Sequence, residues 1–311
     1  MYLPYLRGKQ FELIAVREFS IEYPNNKYVI PIIEPVKSTF NSLATAIKVM
    51  FENELTFSLV LNPLDGDFKR ISKDILSEIS ILGKNRTKWI PALVCSSSEK
   101  TNKILSYIES MDLQNVMLIY KNGIELDDTK MEFLSDSRIG FIVNGDANSR
   151  ITTRKLGKLC KNIIRLDNCF IERPRNVDYL SIPEEKFTEE HKFYHEDHFY
   201  GLSDYTALPN DFIDGGMLPY AVAIHMTYEK NSDEIYVRHF VSDTNDDQSN
   251  IQRKFFEAAS KLKEFFSSKE KTQAINELIQ LLDNEKYPGL GVIKKLSIRN
   301  HLELMNRIMS E

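Results

Sequence analysis

Short apolar stretches recur over the first two thirds of the chain, and each is rich in β-branched or aromatic residues. Stretches of this kind are typical of β-strands that are buried on both faces. They recur about every 28 residues, which is the length of one strand, one helix and two loops. The eight predicted strands cover residues 3–6, 29–33, 57–61, 89–94, 116–119, 139–143, 163–166 and 199–202.

Most segments between the predicted strands have the periodicity of an amphipathic helix. Residues 42–51 show it clearly, because their apolar positions return at intervals of three and four. Eight strand–helix alternations favour a (β/α)8 TIM-like barrel. An open doubly wound sheet is the alternative, although the chain has no GxGxxG or GxxxxGK[ST] sequence. Further helices are predicted over residues 10–19, 67–82 and 99–111.

The pattern changes near residue 211, which predicts two domains: a barrel over residues 1–211 and a module of one β-hairpin plus helices over residues 212–311. Two strands on either side of a polar turn place His225 opposite His239. Three helices are predicted after the hairpin, over residues 249–267, 271–283 and 293–309. The first has a wide aromatic face that we expect to be buried in the chain's own core. The last carries a methionine-bearing stripe that either faces a partner or, in the alternative, packs inside the chain.

Composition and charge restrict the class of protein. Hydrophobic residues make up 42% of the 311 positions, which is typical of a globular chain, and the net charge of −5 provides no overall basic field for nucleic acid. A local basic patch on the first helix after the hairpin leaves nucleic acid as a weakly supported partner. No apolar run approaches the ~20 residues that span a bilayer, and the N-terminus lacks the pattern of a signal peptide. We therefore expect a cytoplasmic protein whose three cysteines, Cys95, Cys160 and Cys169, are reduced.

Polar side chains follow the predicted strands, and TIM barrels build their active sites at the carboxyl ends of the strands. These residues are therefore our candidates for a site that binds or processes a polar ligand. Glu34, Asp146, Asp167 and Asp204 are predicted to converge, and such a group can hold a divalent cation. The alternative is that these side chains form turns and cap helices. The catalytic candidates are Glu34, Asp167 and Asp204, and the ligand-binding candidates are Arg7, Lys9, Asn62, Asp67, Asn144, Asp146 and Tyr205.

Five motifs in this order resemble the Beta protein family, which is named after a satellite-phage gene in a defence or exclusion locus. They are PYLRGKQFELIAVRE, PIIEPV, NPLDGD, the NGD after the sixth strand and GLSDYT. The resemblance extends over nearly the whole chain. It implies a bacterial protein of defence or mobile islands that acts with a partner, since related genes often lie beside a gene predicted to encode a nuclease. It implies no catalytic assignment, so the matching residues are motif positions only.

Three hypotheses on function follow. The first is a component of a bacterial anti-phage or exclusion system whose barrel mouth binds or processes a phosphorylated or nucleotide-like ligand. Its partner is either the neighbouring nuclease or a second copy of the chain. The second is a metal-dependent phosphodiester hydrolase, although the predicted mouth has no histidine to act as acid or base. The third is a non-catalytic barrel scaffold.

Overall fold

A computed structural model describes residues 1–71, 73–96, 101–159, 161–212, 215 and 218–311. The chain divides into two compact units. The barrel unit contains Met1–Lys9, Ser20–Asp167 and Glu190–Asp204. The C-terminal unit contains Gln10–Phe19, Asn168–Glu189 and Tyr205–Glu311. The assignment of residues 1–211 and 212–311 to separate domains stays a prediction.

The strands of the described residues form two sheets. Eight parallel strands make one sheet in the order β1-β2-β3-β4-β5-β6-β7-β9, and the other has the antiparallel order β10-β11-β8. The strands are β1 Tyr5–Leu6, β2 Ile32–Ile33, β3 Phe57–Val60, β4 Trp89–Val94, β5 Val116–Tyr120, β6 Ile139–Asn144, β7 Asn162–Asp167, β8 Glu184–Thr188, β9 Gly201–Asp204, β10 Ala223–Asn231 and β11 Glu234–Val241.

The parallel sheet closes on itself just before β1. Tyr2 forms parallel bridges both to Val29, before β2, and to Leu202 of β9. The Leu3 N–H donates to the Leu202 carbonyl at 2.7 Å, so the last strand is hydrogen-bonded to the first. Helices alternate with the strands along the chain. The predicted (β/α)8 barrel is therefore confirmed, and each predicted barrel strand overlaps an observed strand.

One predicted helix of the barrel unit is divided into shorter elements. The predicted helix over residues 67–82 is wrong, because this segment forms a 3-10 turn and then two short helices. Asp74 caps the first of these by accepting hydrogen bonds from the N–H groups of Leu76 and Ser77, which starts a new helix there. The helices are α1 Gln10–Glu22, α2 Asn41–Glu52, α3 Ile75–Glu78, α4 Ser80–Lys84, α5 Thr101–Ser110, α6 Asp128–Leu134, α7 Arg150–Leu156, α8 Glu190–Phe193, α9 Ile251–Phe265, α10 Gln273–Asp283 and α11 Leu290–Ser310.

The C-terminal unit has its own hydrophobic core between the three-stranded sheet and helices α9, α10 and α11. Phe255 and Phe266 are fully buried in it, and Phe256 and Phe265 pack against it. The predicted burial of this aromatic face is thus confirmed. The predicted hairpin is also confirmed, with His225 paired to His239. Strand β8 was not predicted, because its sequence EEKFT is too charged to resemble a strand.

The methionine-bearing stripe of helix α11 is buried over most of its length. Ile293, Leu296, Leu302 and Met305 are at most 4% exposed. The stripe is buried because α11 packs against strand β10 and helix α10. These four positions therefore follow the alternative of internal packing, and they do not face a partner.

Helix α1 joins the C-terminal unit through a set of ion pairs that we call the helix brace. Lys295 contacts Glu18 at 2.8 Å and Glu277 at 2.9 Å. Arg299 contacts the same two carboxylates at 3.2 Å and 2.9 Å, and its Nε donates to Glu303 at 2.7 Å. These five residues connect α1, α10 and α11, so residues 290–310 determine where Gln10–Phe19 packs.

The structure bears on the cysteines and on membrane-spanning helices. Cys95 is buried, Cys169 is half-buried, and neither is in a disulfide with another described residue. Cys160 lies outside the described residues. Within the described ranges, no helix has the length and apolar character to cross a membrane.

Candidate functional site

The inner face of the barrel can be assigned from contacts that cross it. Lys121 follows β5, yet its Nζ lies 2.7 Å from Glu34, which follows β2. Side chains from strands three apart in the barrel meet only on its inner side. Tyr5 shares that face, since it pairs with Ile32, two residues before Glu34. The side chains of Tyr5, Glu34 and Lys121 therefore lie inside, at the carboxyl ends of the strands.

Glu34 is the buried residue that the other members of this group contact. Its side chain is fully buried, and its Oε2 accepts hydrogen bonds from Lys121 at 2.7 Å and from the Tyr5 hydroxyl at 2.8 Å. Its Oε1 accepts from the Leu64 N–H at 3.2 Å. A buried carboxylate is tolerated when it is paired and hydrogen-bonded in this way. Glu34 thus holds together residues from β1, β2 and β5.

Asp65 is the second acid, and it lies nearer to solvent. Its Oδ2 is 2.6 Å from Arg7 and 3.8 Å from Lys121, and its Oδ1 is 3.9 Å from Lys69. The side chains of Asp65 and Lys121 remain 22% and 21% exposed. We call Tyr5, Arg7, Glu34, Asp65 and Lys121 the mouth cluster. With Lys69 at its edge, three cations surround two carboxylates.

Two glycines fix the backbone beside these residues. Gly66 follows Asp65 with φ +64°, and a Cβ there would lie 2.1 Å from the Val36 carbonyl oxygen. At Gly145 a Cβ would lie 1.8 Å from the Lys121 carbonyl oxygen. Any side chain would push these loops apart. The DGD and NGD sequences therefore require glycine at positions 66 and 145, where the close backbone contacts set the positions of Asp65 and Lys121.

Asp167 and Asp204 form a different group, on the opposite face of the sheet. They are paired in register on β7 and β9, and Tyr2 donates to Asp204 at 2.7 Å. Tyr2 lies three residues before Tyr5, so alternation puts the two on opposite faces. The prediction that Glu34, Asp146, Asp167 and Asp204 converge is therefore wrong, because sequence spacing alone does not determine which face a strand end presents.

The electrostatics of this outer group also differ. Burial and the charge of Asp204 raise the pKa of Asp167, although Arg165 lies 2.6 Å away and opposes the shift. Arg165 also contacts Glu190 at 3.2 Å and Asn148 at 3.3 Å. Asp167 is thus an acid of raised pKa inside an ion-pair network.

Three ligand-binding candidates, Asn62, Asp67 and Asn144, have side chains with local structural partners, which supports the alternative of turns and caps. Asn62 exchanges two hydrogen bonds with the backbone of Val94, at 2.8 and 2.9 Å. Asp67 accepts from the N–H and hydroxyl of Ser38, and these bonds lower its pKa. Asn144 donates to the Asp146 carbonyl at 3.0 Å. The side chain of Asp146 is exposed.

The remaining two candidates flank the barrel strands. Lys9 is half-buried at the end of the first barrel-unit segment, and Tyr205 is 7% exposed directly after β9. From the candidate set, the structure thus brings together two pairs, Arg7 with Glu34 at the mouth and Asp167 with Asp204 on the outer face of the sheet.

Metal binding was a possibility for the predicted acids. Among the described residues, no group of three or more His, Cys, Asp or Glu side chains is arranged to hold a metal ion. The carboxylates of the mouth cluster are instead paired with Arg7 and Lys121. The described part of the chain thus contains no ligand set for the divalent cation.

Three members of the mouth cluster were not candidates from the sequence: Tyr5, Asp65 and Lys121. Lys121 had a usable signal, since it directly follows a strand whose five residues are all buried. Asp65 lies two residues from Asp67, which the sequence favoured instead. Tyr5 is a strand residue, and its hydroxyl reaches the mouth only because the tyrosine side chain is long.

The similarity of this chain to known proteins is low. No protein-family model matches the sequence, and no curated protein is similar to it. A structure search finds the crystal structure of the YdjI aldolase from Escherichia coli K12, with a TM-score of 0.44 and 8% sequence identity. The match covers 99% of this chain and 90% of the aldolase. At this level of similarity it carries no argument about the function of this protein.

Proposed function

We propose that the barrel binds a small phosphorylated or nucleotide-like ligand at its mouth. The observation that supports this is that Arg7 and Lys121 both approach the partly exposed Asp65, with Lys69 at its edge. Cations that meet at the carboxyl ends of barrel strands attract an anion, and arginine matches the geometry of a phosphate.

The two acids have different roles in this proposal. Glu34 is fully buried and already accepts three hydrogen bonds, so it holds Lys121 in place. Asp65 is partly exposed and lies 2.6 Å from Arg7, in the position that an anionic oxygen of the ligand would take. The ligand therefore competes with Asp65 for Arg7 and Lys121. The proposal concerns binding rather than catalysis, because the pairing of Glu34 opposes a role as a general base.

The test is calorimetric titration of the full chain with inorganic phosphate and with adenosine 5′-monophosphate. Lys121→Met should weaken binding about tenfold or more, which corresponds to about 1.4 kcal/mol. Asp65→Asn should strengthen it, because the competing carboxylate is removed. Lys48→Met is the matched control, since Lys48 is exposed on α2 and pairs there with Glu52.

Two outcomes would contradict the proposal. In the first, neither inorganic phosphate nor adenosine 5′-monophosphate binds; in the second, Lys121→Met and Lys48→Met weaken binding equally. The first outcome would favour the scaffold hypothesis, in which the mouth cluster serves only to stabilise the barrel. The hydrolase hypothesis has no support from a metal-ligand group among the described residues.

A role in an anti-phage or exclusion system is a further proposal, and it rests on the resemblance to the Beta protein family alone. In it the chain acts in the cytoplasm with the product of a neighbouring nuclease gene or with a second copy of itself. Co-purification of the two gene products, followed by phage challenge of cells with and without Lys121→Met, tests this role. A complex that does not form, or protection that is absent, would count against it.

A further inference from the structure

Helix α7 and the 3-10 turn that follows it carry a group of unpaired cations. Residues 147–166 contain six arginines and lysines and no acid, although the whole chain has a net charge of −5. We call Arg150, Arg154, Lys155 and Lys158 the basic stripe. All four side chains are exposed, and none has an ion pair or a side-chain hydrogen bond with another described residue. Their charge is therefore available to a partner.

The four cations lie on one side of this element. Ser149 caps the start of α7, since its hydroxyl oxygen accepts from the Thr152 N–H at 3.4 Å. From that start, positions 150, 154, 155 and 158 follow the intervals of one helix face, and Leu156 on the opposite side is buried. Gly157 is exposed, and a Cβ there would meet nothing within 4 Å. The stripe therefore lies on an open surface, and it is about 12 Å long at a rise of about 1.5 Å per residue.

The acids that lie before and after this segment in the sequence do not neutralise the basic stripe. Asp136 is paired with Arg138 at 2.7 Å, and Asp167 is paired with Arg165 at 2.6 Å. Asp146, four residues before Arg150, is exposed and forms no ion pair with the stripe. The positive charge of the stripe is thus concentrated on one surface of an acidic chain.

The basic patch predicted from the sequence lies instead on helix α9, whose lysines have partners. Lys254 is 2% exposed and contacts Asp247. Lys261 pairs with Asp243 and Lys263 pairs with Asp283, each at 2.6 Å. Among the described residues of these two helices, the unpaired cations are those of the basic stripe on α7.

The composition of the basic stripe distinguishes between classes of anionic partner. Ile151 lies among the cations and is 73% exposed, but one isoleucine does not make the apolar face with which an interfacial helix enters a membrane. Residues 147–161 contain no aromatic residue, whereas protein interfaces and single-strand binding sites are rich in aromatic rings. The phosphate backbone of a nucleic-acid duplex requires cations alone.

We propose that the basic stripe binds the phosphate backbone of double-stranded DNA without preference for sequence. Each strand of DNA carries one phosphate per about 3.4 Å of helix axis, so a stripe about 12 Å long faces three or four phosphates. Contacts to phosphates position a protein on the duplex and carry no sequence information. The stripe shares no residue with the mouth cluster, so this site is separate from the one proposed for a small ligand.

The experiment is titration of a fluorescent DNA duplex of about 20 base pairs with the full chain, followed by anisotropy between about 50 and 200 mM NaCl. The stripe variant combines Arg150→Gln, Arg154→Gln, Lys155→Gln and Lys158→Gln, and Arg154→Gln is also made alone. The control variant removes the same charge from four lysines elsewhere that are exposed and have no ion pair with another described residue. It combines Lys27→Gln, Lys88→Gln, Lys103→Gln and Lys286→Gln.

We expect a Kd of about 10 μM at about 50 mM NaCl. The logarithm of the association constant should fall with the logarithm of the salt concentration at a slope of about −3.6, because each phosphate contact contributes about −0.9. Arg154→Gln should reduce the magnitude of that slope by about 0.9. The stripe variant should weaken binding at least about 20-fold at the lowest salt, and the control variant less than about threefold.

Absence of binding at about 50 mM NaCl overturns the proposal. Equal weakening by the stripe variant and the control variant also overturns it, because the effect would then arise from net charge alone. If Lys121→Met weakens DNA binding as much as the stripe variant does, the DNA lies at the mouth cluster and the proposal is wrong. Binding of phosphatidylserine vesicles without binding of the duplex would assign the stripe to a membrane surface instead.

Discussion

The mouth cluster of the barrel unit and the helix brace of the C-terminal unit both pair one arginine and one lysine with carboxylates. In the brace the cations are buried, with Lys295 7% and Arg299 10% exposed, and Glu18 and Glu277 lie nearer to solvent. In the mouth cluster the acid Glu34 is fully buried and Arg7 is 9% exposed, whereas Lys121 is 21% exposed. Both groups thus bury one arginine and one acid, which is Glu303 in the brace, and they differ in the lysine, which is buried in the brace and partly exposed at the mouth.

The net charge of the two groups differs as well. Three carboxylates surround Lys295 and Arg299 in the brace, so its cations are more than neutralised. At the mouth, Lys121 is partly exposed and shares the partly exposed Asp65 with Arg7. Buried cations with a surplus of acid have nothing left to bind, whereas a partly exposed lysine beside a partly exposed carboxylate can exchange that carboxylate for an anion. The comparison therefore predicts a stabilising role for the brace and a binding role for the mouth.

The largest effect is expected from Arg299→Met in the brace. It leaves Glu303, whose pKa burial already raises, without its 2.7 Å partner in the core. Removing one member of a buried ion pair costs about 3–5 kcal/mol, to be measured by urea unfolding. Lys294→Met is the control, since Lys294 is exposed on the same helix. A loss below about 1 kcal/mol would show that the brace is not a source of stability.

At the mouth, we expect substitution of Glu34 to cost more unfolding free energy than substitution of Asp65. Glu34→Gln removes the charge that holds Lys121 and should cost about 3 kcal/mol of unfolding free energy. Asp65→Asn, at a partly exposed position, should cost less than about 1 kcal/mol. Urea unfolding of both variants measures the difference. If both cost the same, Asp65 is as much a structural residue as Glu34, and it would not be displaced by a ligand.

The histidine pair adds a pH dependence that neither ion-pair group provides. Burial lowers the pKa of His225 to about 3 and that of His239 to about 4, so both are neutral in the folded chain. Glu185, Arg173, Arg238 and Lys294 are the charged groups around them.

Unfolded histidines have a pKa of about 6.5, so the unfolded chain binds more protons as pH falls below that value. Stability contributed by the pair should be complete above about pH 7 and decrease between about pH 6.5 and pH 4. From about pH 6 to pH 5 we expect a loss of about 2 kcal/mol. Urea unfolding across this range measures the slope, and His225→Asn with His239→Asn should flatten it. His195→Asn, at an exposed residue, should leave the slope unchanged.

The smallest effect concerns the packing of helix α1 on α11. At Gly291 a Cβ would lie 1.9 Å from the Phe11 ring. Gly291→Ala should therefore cost about 1–2 kcal/mol by overpacking. Gly157→Ala, where a Cβ meets nothing within 4 Å, is the control. Thermal unfolding measures both variants. Equal melting temperatures would mean that the ring moves aside freely.

The sequence by itself determined the barrel and the order of its strands. Strands such as Trp89–Val94 are buried at every position, and a parallel sheet covered on both sides requires that local pattern. It also determined the hairpin register that pairs His225 with His239, because a short turn fixes which residues are opposite. These features depend on residues that are near one another in the chain.

Only the tertiary structure decided which polar strand ends meet. Arg7 and Glu34 were identifiable as residues that follow strands, but Lys121 is 87 residues from Glu34 and joins it only through closure of the barrel. Asp204 is the last residue of β9 and yet lies on the other face of the sheet. Side chains alternate along a strand, so a difference of one residue in where pairing begins reverses the face. Lys295 likewise reaches Glu18 over 277 residues, because α11 and α1 pack together in the folded unit.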